Sequence, residues 1–278
     1  MIKSKWENKK TTQAFKDDSS KKIIVCYPIV TGNGAKHVAT NLSHVYKEHY
    51  PEKRVALIDL DFHHDHMMDQ QILGDNVHSI DNLLDKIDAN QLTQDLFLEN
   101  MITLKPQIDF LRGTQLKKDF VIICRHHIEE IFAHLRESYD KVFISVSNRH
   151  DNAGTIYGLN LADEVIMVAR NNYTNFMKID EAFEAIIRCY HKENTIKLVL
   201  NQYNPKSNIN FGTWIMEHPV IALGMIPFDE NAADGNDLTN TNLTRINKLR
   251  GGNKNQTAYE QILREIFISK EKTLNKEE

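Results

Sequence analysis

Six short runs of apolar, β-branched residues recur along the chain with helical stretches between them, and this alternation constrains the fold more than any other feature. The runs are IIVCYP (23–28), RVALIDLD (54–61), DKVFISVS (140–147), EVIMVA (164–169), TIKLVLNQY (195–203) and VIALGMIP (220–227). Strands that read as nearly continuous apolar runs are buried on both faces, as in a parallel sheet covered by helices. Helical patterns fill the gaps: AKHVATNLSHVYKEHY, SIDNLLDKI, CRHHIEEIFAHLRESY and FMKIDEAFEAIIRCYH. The alternation predicts βαβ crossovers and a single doubly wound, mostly parallel α/β sheet flanked by helices. MITLK (101–105) and IDFLRG (108–113) add one or two shorter strands.

A chain of 278 residues with 41% apolar and 26% charged residues can bury a substantial core. The net charge of −4 gives no reason to expect nucleic-acid binding driven by overall charge. Cys26, Cys124 and Cys189 fall in apolar segments, far apart, which suits reduced thiols in a cytoplasmic protein. No apolar run approaches the roughly 20 residues that span a bilayer. Residues 1–20 are polar and read as a flexible N-terminal tail, 21–270 as the α/β domain, and 271–278 as a charged C-terminal tail. Residues 229–256 read as a polar surface excursion, and TAYEQILREIFISK as a terminal amphipathic helix.

Between the first strand and the first helix lies VTGNGAKHV (30–38). A phosphate loop works because consecutive backbone N–H groups and a helix N-terminus converge on an anion while a lysine reaches the outer phosphates. Gly32, Asn33, Gly34, Ala35, Lys36, His37 and Val38 occupy that position here. The pattern GxxxxGK[ST] is nevertheless broken: Val30 and Ala35 stand at the glycine positions, and His37 at the hydroxyl that holds magnesium. On these residues alone a nucleotide loop and a bare glycine-containing βα turn are equal alternatives.

The later segments resemble the ParA/MinD superfamily of deviant Walker P-loop ATPases. ALIDLDFHHDH followed by HSIDNLLD resembles its second-strand region and is most similar to the TadZ/CpaE pilus-assembly branch. YDKVFISVSNRHDNAGTIYGLNLADEVIMVARNN resembles its Walker B region, KLVLNQYN the strand bearing an adenine-reading asparagine, and VIALGMIPFD the segment beyond it. The resemblance covers residues 22 to 235 and implies a P-loop NTPase-like fold. It implies that Lys36 neutralises β/γ-phosphates, that Gly32 and Gly34 admit backbone amides to them, and that Asn201, Pro227 and Phe228 lie at the base. It also implies that Asp59 and Asp61 close the second strand, with Asp61 the best catalytic candidate, placing the attacking water or the metal shell.

The departures from the family pattern run in one direction. The signature lysine that crosses a dimer is Thr31, the magnesium hydroxyl is His37, and the Walker B aspartate is Ser145. Phosphoryl transfer depends on positioned charge and metal, so the expectation is slow or absent hydrolysis, ATP bound weakly or not at all, and no dedicated Mg2+ site. The implied function is a localisation or assembly factor for a pilus, secretion or conjugation machine, a pseudo-ATPase in the cytoplasm recruited to the inner face of the membrane through protein partners. A homodimer through the nucleotide face is compatible with it. An active ParA-type ATPase for plasmid or chromosome partition is the alternative.

Each residue also has a plainer reading. Lys36 reads as a solvated first-turn residue, Asp59 and Asp61 as caps of the following turn, and Asn201 as a partner of neighbouring backbone. His63, His64, Asp65 and His66 suit zinc or nickel by chemistry, but neighbours in an extended segment point to alternate sides, which favours a histidine-rich loop and no metal site. His126 and His127 read as surface positions. The terminal helix places Tyr259, Ile262, Leu263, Ile266 and Phe267 on one face, and with few basic residues beside it packing against the sheet is expected in place of membrane binding.

Overall fold

The computed structural model describes residues 22–63, 78–104, 107–114, 122–190, 196–228 and 254–267. Strand β1 (Ile23–Pro28) is buried along its whole length. Its alternate residues serve two layers: Ile23, Val25 and Tyr27 join one apolar cluster, and Ile24 and Cys26 join the other. A loop leads to α1 (Ala35–His49), whose Ala35, Val38, Ala39 and Leu42 cover the second of these faces.

The chain continues through β2 (Val55–Leu60), α2 (Asp81–Asp88), α3 (Gln94–Glu99), β3 (Ile102–Leu104), β4 (Ile108–Leu111) and α4 (Arg125–Ser138). Next come β5 (Lys141–Val146), α5 (Ala153–Asn160), β6 (Glu164–Arg170) and α6 (Tyr173–Cys189). The rest is β7 (Ile196–Tyr203), α7 (Gly212–Glu217), β8 (Ile221–Pro227) and α8 (Lys254–Phe267). One sheet takes the order β3-β4-β2-β5-β1-β6-β7-β8. Every pairing is parallel except β3 with β4, a short antiparallel edge. The fold is therefore the expected single, mostly parallel sheet flanked by helices. α1 and α8 cover one face; α2, α4, α5 and α6 cover the other.

Adjacent strands β1 and β6 hand the chain to opposite faces, β1 to α1 and β6 to α6. Open α/β sheets bind ligands at such a topological switch point, outside the carboxyl ends of the strands.

Two expectations need correction. His127 is buried, not superficial: its Nδ1 accepts the Cys124 N–H at 3.1 Å, and its Nε2 donates to Asp88 at 2.8 Å, tying α4 to α2. A histidine three residues after a helix N-cap can turn back to it, which a surface reading overlooks. His126 is exposed, as expected. Cys124 is exposed despite its apolar neighbours, because it is the N-cap of α4; all three cysteines are free thiols. Of the polar stretch 229–256, residues 254–256 begin α8, and 229–253 lie outside the described residues, as do both expected tails.

The layer under α1 and α8 contains buried charge. Glu164 and Lys197 are almost fully buried and meet at 2.6 Å. Removing one partner of such a pair strands the other charge. Lys197→Met is expected to lower stability by about 3–5 kcal/mol in urea unfolding, and Glu164→Leu in the same chain to restore most of the loss. Burial of the Cys26 thiol pushes its pKa far above the usual thiol range. Iodoacetamide at pH 8 is expected to label Cys124 in the folded protein and Cys26 only after unfolding, as peptide mass analysis would show.

Candidate nucleotide-binding site

The loop between β1 and α1 owes its shape to two glycines with positive φ, Gly32 at 82° and Gly34 at 84°, on either side of Asn33. Gly34 is the N-cap of α1 and offers no side-chain cap. The first N–H groups of a helix have no intrahelical partner, so Ala35, Lys36 and His37 begin a turn of amides suited to an anion. A Cβ on Gly34 would lie 2.5 Å from Asn201 Nδ2, so only glycine allows this approach. These features fit a phosphate cradle.

Lys36 stands at the start of α1 with its Nζ 2.7 Å from Asp59 Oδ2. Strand parity explains the meeting. Val55 and Leu57 of β2 face α1, so Asp59, two residues on, does too. Asp59 is 1% exposed, and its other oxygen accepts the Asp61 N–H at 3.2 Å and the Ser145 hydroxyl at 3.4 Å. Ser145 is its register partner on β5. Asp61 is half-buried and accepts the His63 N–H at 3.2 Å, so the two acids also cap the turn after β2. His63 Nε2 reaches Asp151 Oδ1 at 2.6 Å, across to the loop after β5. Desolvation raises the pKa of Asp151, but hydrogen bonds from Arg149, His63 and Asn152 together outweigh it and hold the carboxyl below the usual carboxylate range.

The remaining loop residues are placed as follows. Thr31 is exposed and donates to Asn148 Oδ1 at 3.0 Å. Asn33 is buried: its Nδ2 donates to Val168 O at 2.9 Å and to Asn175 Oδ1, and its carbonyl accepts Asn201 Nδ2 at 2.8 Å. His37 is exposed, beside Asn41, with its ring edge-on to Tyr259 at 6.4 Å. Ala35 and Val38 are turned into the core, and the Val38 N–H is used by Gly34 O at 2.9 Å. Among residues 30–38, Gly34 and Lys36 are partly exposed after the carboxyl end of β1, whereas Asn33 and Val38 are buried in the scaffold. Position 37 carries a histidine and position 145 a serine, where the P-loop pattern places a magnesium-binding hydroxyl and the resembled family an aspartate.

Asn201 holds the loop backbone. Pro227 and the half-exposed Phe228 line a cleft of about 500 Å3 at the carboxyl ends of β6, β7 and β8, together with Arg170, Asn171 and Gln202. Of the expected histidine cluster only His63 lies within the described residues; His64, Asp65 and His66 lie outside them. Among the described residues no group of three His, Cys, Asp or Glu could hold a metal ion.

Sequence reasoning missed the anchor opposite the loop. Asn172 caps α6 by accepting the Asn175 N–H at 2.9 Å, and Asn175 in turn pairs with Asn33 and accepts the Arg170 N–H at 3.1 Å. The spacing N-x-x-N directly after a buried strand was the available signal.

No family model matches the sequence, and no curated protein matches it. Solved structures do match. A ParA family ATPase from Chlorobium tepidum superposes with a TM-score of 0.69 at 17% identity, covering 88% of this chain and 97% of the other. A candidate plasmid partition protein from Borrelia burgdorferi bound to AMPPNP gives 0.65 at 20% identity over 88% and 98%. The MinC:MinD cell division complex of Aquifex aeolicus gives 0.66 at 15% identity over 88% and 95%. The fold is that of the ParA/MinD ATPases.

The glycines make a discriminating test. Gly32 has open space around it, so Gly32→Ala is expected to destabilise the protein by about 1 kcal/mol from backbone strain alone. Gly34→Ala adds the collision with Asn201 and is expected to cost about 1–3 kcal/mol more in thermal or urea unfolding.

Proposed function

We propose that this protein is a ParA/MinD-like positioning factor of the TadZ/CpaE kind, a localisation or assembly platform for a pilus, secretion or conjugation machine, with a degenerate ATP site. The observation that carries the reading is the composition of the switch-point crevice. A lysine and a helix start remain to hold a phosphate, while the metal-holding hydroxyl is His37 and the acid across from Asp59 is Ser145. Such a site can recognise polyphosphate weakly, and it lacks the positioned metal and charge that drive hydrolysis. Residues 21–270 form its domain, and Asp61 is the best placed acid should any turnover remain.

Proteins of this fold have been solved with AMPPNP and in complex with MinC, which supports ATP as the ligand class and protein partners as the mode of action. The terminal helix supports recruitment through partners in place of direct membrane contact. Its apolar residues Tyr259, Ile262, Leu263, Ile266 and Phe267 are buried in the layer beside α1. Among the described residues no helix is long and apolar enough to cross a membrane. The acidic net charge speaks against nucleic acid as a partner, and a homodimer would use the loop face.

Calorimetry with ATP in the presence of Mg2+ tests this. The native protein is expected to bind ATP at best weakly, Lys36→Ala not at all, and neither to release phosphate above background. Magnesium-dependent turnover that Lys36→Ala abolishes would overturn the degenerate site in favour of a working partition ATPase. Failure to capture any envelope-machine component would count against the platform role.

A further inference from the structure

Asn33 and Gly34 form the sole Asn-Gly pair in the chain of 278 residues, and they stand in the loop that leads into α1. In such a pair the glycine nitrogen attacks the asparagine side-chain amide, and the missing Cβ leaves the approach open. Asparagine is accordingly among the thermolabile residues. We propose that Asn33 is a spontaneous deamidation site held unreactive by the native amide lattice, so that opening of the loop exposes the chain to a modification from which the loop does not recover.

The chemistry consumes water and requires no ligand. The Gly34 nitrogen forms a bond to Asn33 Cγ and gives up its proton, the Cγ–Nδ2 bond breaks, and ammonia leaves with that proton, giving a succinimide ring. Water then adds to one of the ring carbonyls and the ring C–N bond breaks there. Breakage at Cγ leaves aspartate at position 33, and breakage at the main-chain carbonyl leaves isoaspartate. Nothing is oxidised or reduced.

In the folded protein each group that has to move is held. Asn33 is 2% exposed, which keeps water from the ring-opening step. Its Nδ2, the leaving group, donates to Val168 O at 2.9 Å and to Asn175 Oδ1, and its Oδ1 accepts Asn175 Nδ2 at 3.3 Å. The backbone is fixed as well: the Asn33 N–H donates to Val30 O at 3.1 Å, and the Asn33 carbonyl accepts Asn201 Nδ2 at 2.8 Å. Turning the amide toward Gly34 breaks bonds inside a buried polar network, where an unpaired group is costly. Deamidation is slow beside loop motion, so its rate follows the population of the opened loop.

Neither product fits the lattice. Aspartate sets a buried carboxylate against the Val168 carbonyl, which also accepts the Ile29 N–H at 3.0 Å. Asn175 would have to turn its amide to donate to that carboxylate, and its Oδ1 would then leave the Arg170 N–H that it now accepts at 3.1 Å. Isoaspartate routes the main chain through Cγ. The carbonyl that Asn201 holds becomes a carboxylate, and the chain reaches Gly34, the N-cap of α1, by a longer path. Both changes dismantle the turn that presents the start of α1.

The test incubates the full-length protein in mildly alkaline buffer and follows the Asn33 peptide by a mass analysis that separates asparagine, aspartate and isoaspartate. Native protein, protein unfolded in urea and Asn175→Ala are compared, with thermal unfolding as a folding control. Unfolded chain is expected to convert Asn33 at least about tenfold faster than native protein, and folded Asn175→Ala about tenfold faster than native. No conversion in the unfolded chain overturns the site, and native conversion as fast as unfolded overturns the protection. A folded Asn175→Ala that converts no faster than native overturns the role of the lattice. Should that variant not fold, native protein in urea below the unfolding transition decides: conversion is expected to rise before global unfolding, and a rate flat up to the transition overturns loop opening as the route. Asn33→Asp, which installs one product from the start, is expected to unfold at a lower temperature than the native protein, and an unchanged midpoint overturns the damage assigned to the modification.

Discussion

Strand β1 lies between β5 and β6 and the rest of the structure is arranged about that position. β1 delivers the chain to one face through α1, and its neighbour β6 delivers it to the other through α6. The two connections part at the carboxyl ends and leave a crevice that neither helix fills. Asn33 spans it, bonded to Val168 of β6, to Asn175 of α6 and, through its carbonyl, to Asn201 of β7. The loop is therefore held from the far side of the switch point by neutral amides. Those bonds hold the loop without drawing on the Lys36–Asp59 ion pair.

Strand parity then selects which side chains meet there. In β2, β5 and β7 the residues facing α1 alternate with those facing the other helices, and Asp59, Ser145 and Asn201 all fall on the α1 face near the carboxyl ends. Lys36, in the first turn of α1, is above them. The site is a consequence of where each strand stops and of which parity its last residues carry. A one-residue slip in any of the three would turn its polar residue into the opposite layer, which is apolar.

The strands were legible because burial on both faces leaves runs such as VIMVA with no polar interruption, and their observed limits differ from the sequence reading by a residue or so. The crevice was only partly legible. Lys36, Asp59 and Ser145 could be named from motif position, but their convergence depends on the register of β2 with β5, which no local pattern encodes. The roles of Asn33 and His127 were hidden for the same reason. Each makes bonds to residues far away in sequence, Asn175 and Asp88, and an amide or imidazole in a polar stretch carries no mark of burial. The short α3 escaped notice because six residues give too little periodicity to separate a helix from a loop; its Thr93 cap, which accepts the Leu96 N–H, was the one local sign.

The layer beneath α1 and α8 concentrates buried polarity. Lys141, fully buried on β5, lies 4.5 Å from the Phe267 ring centre and 5.6 Å from that of Tyr46. Lys197 meets Glu164 and also lies 3.5 Å from the Ile266 carbonyl. Both lysines thus lean on the last turn of α8, through an aromatic face in one case and a helix-end carbonyl in the other. Taking α8 away would expose apolar residues and also leave two ammonium groups with fewer partners, so the helix is bound to the sheet by polar as well as apolar contacts. A membrane could replace the apolar contacts but not the Ile266 carbonyl and Phe267 ring that Lys197 and Lys141 meet in this layer. The apolar stripe of α8 therefore belongs to the core.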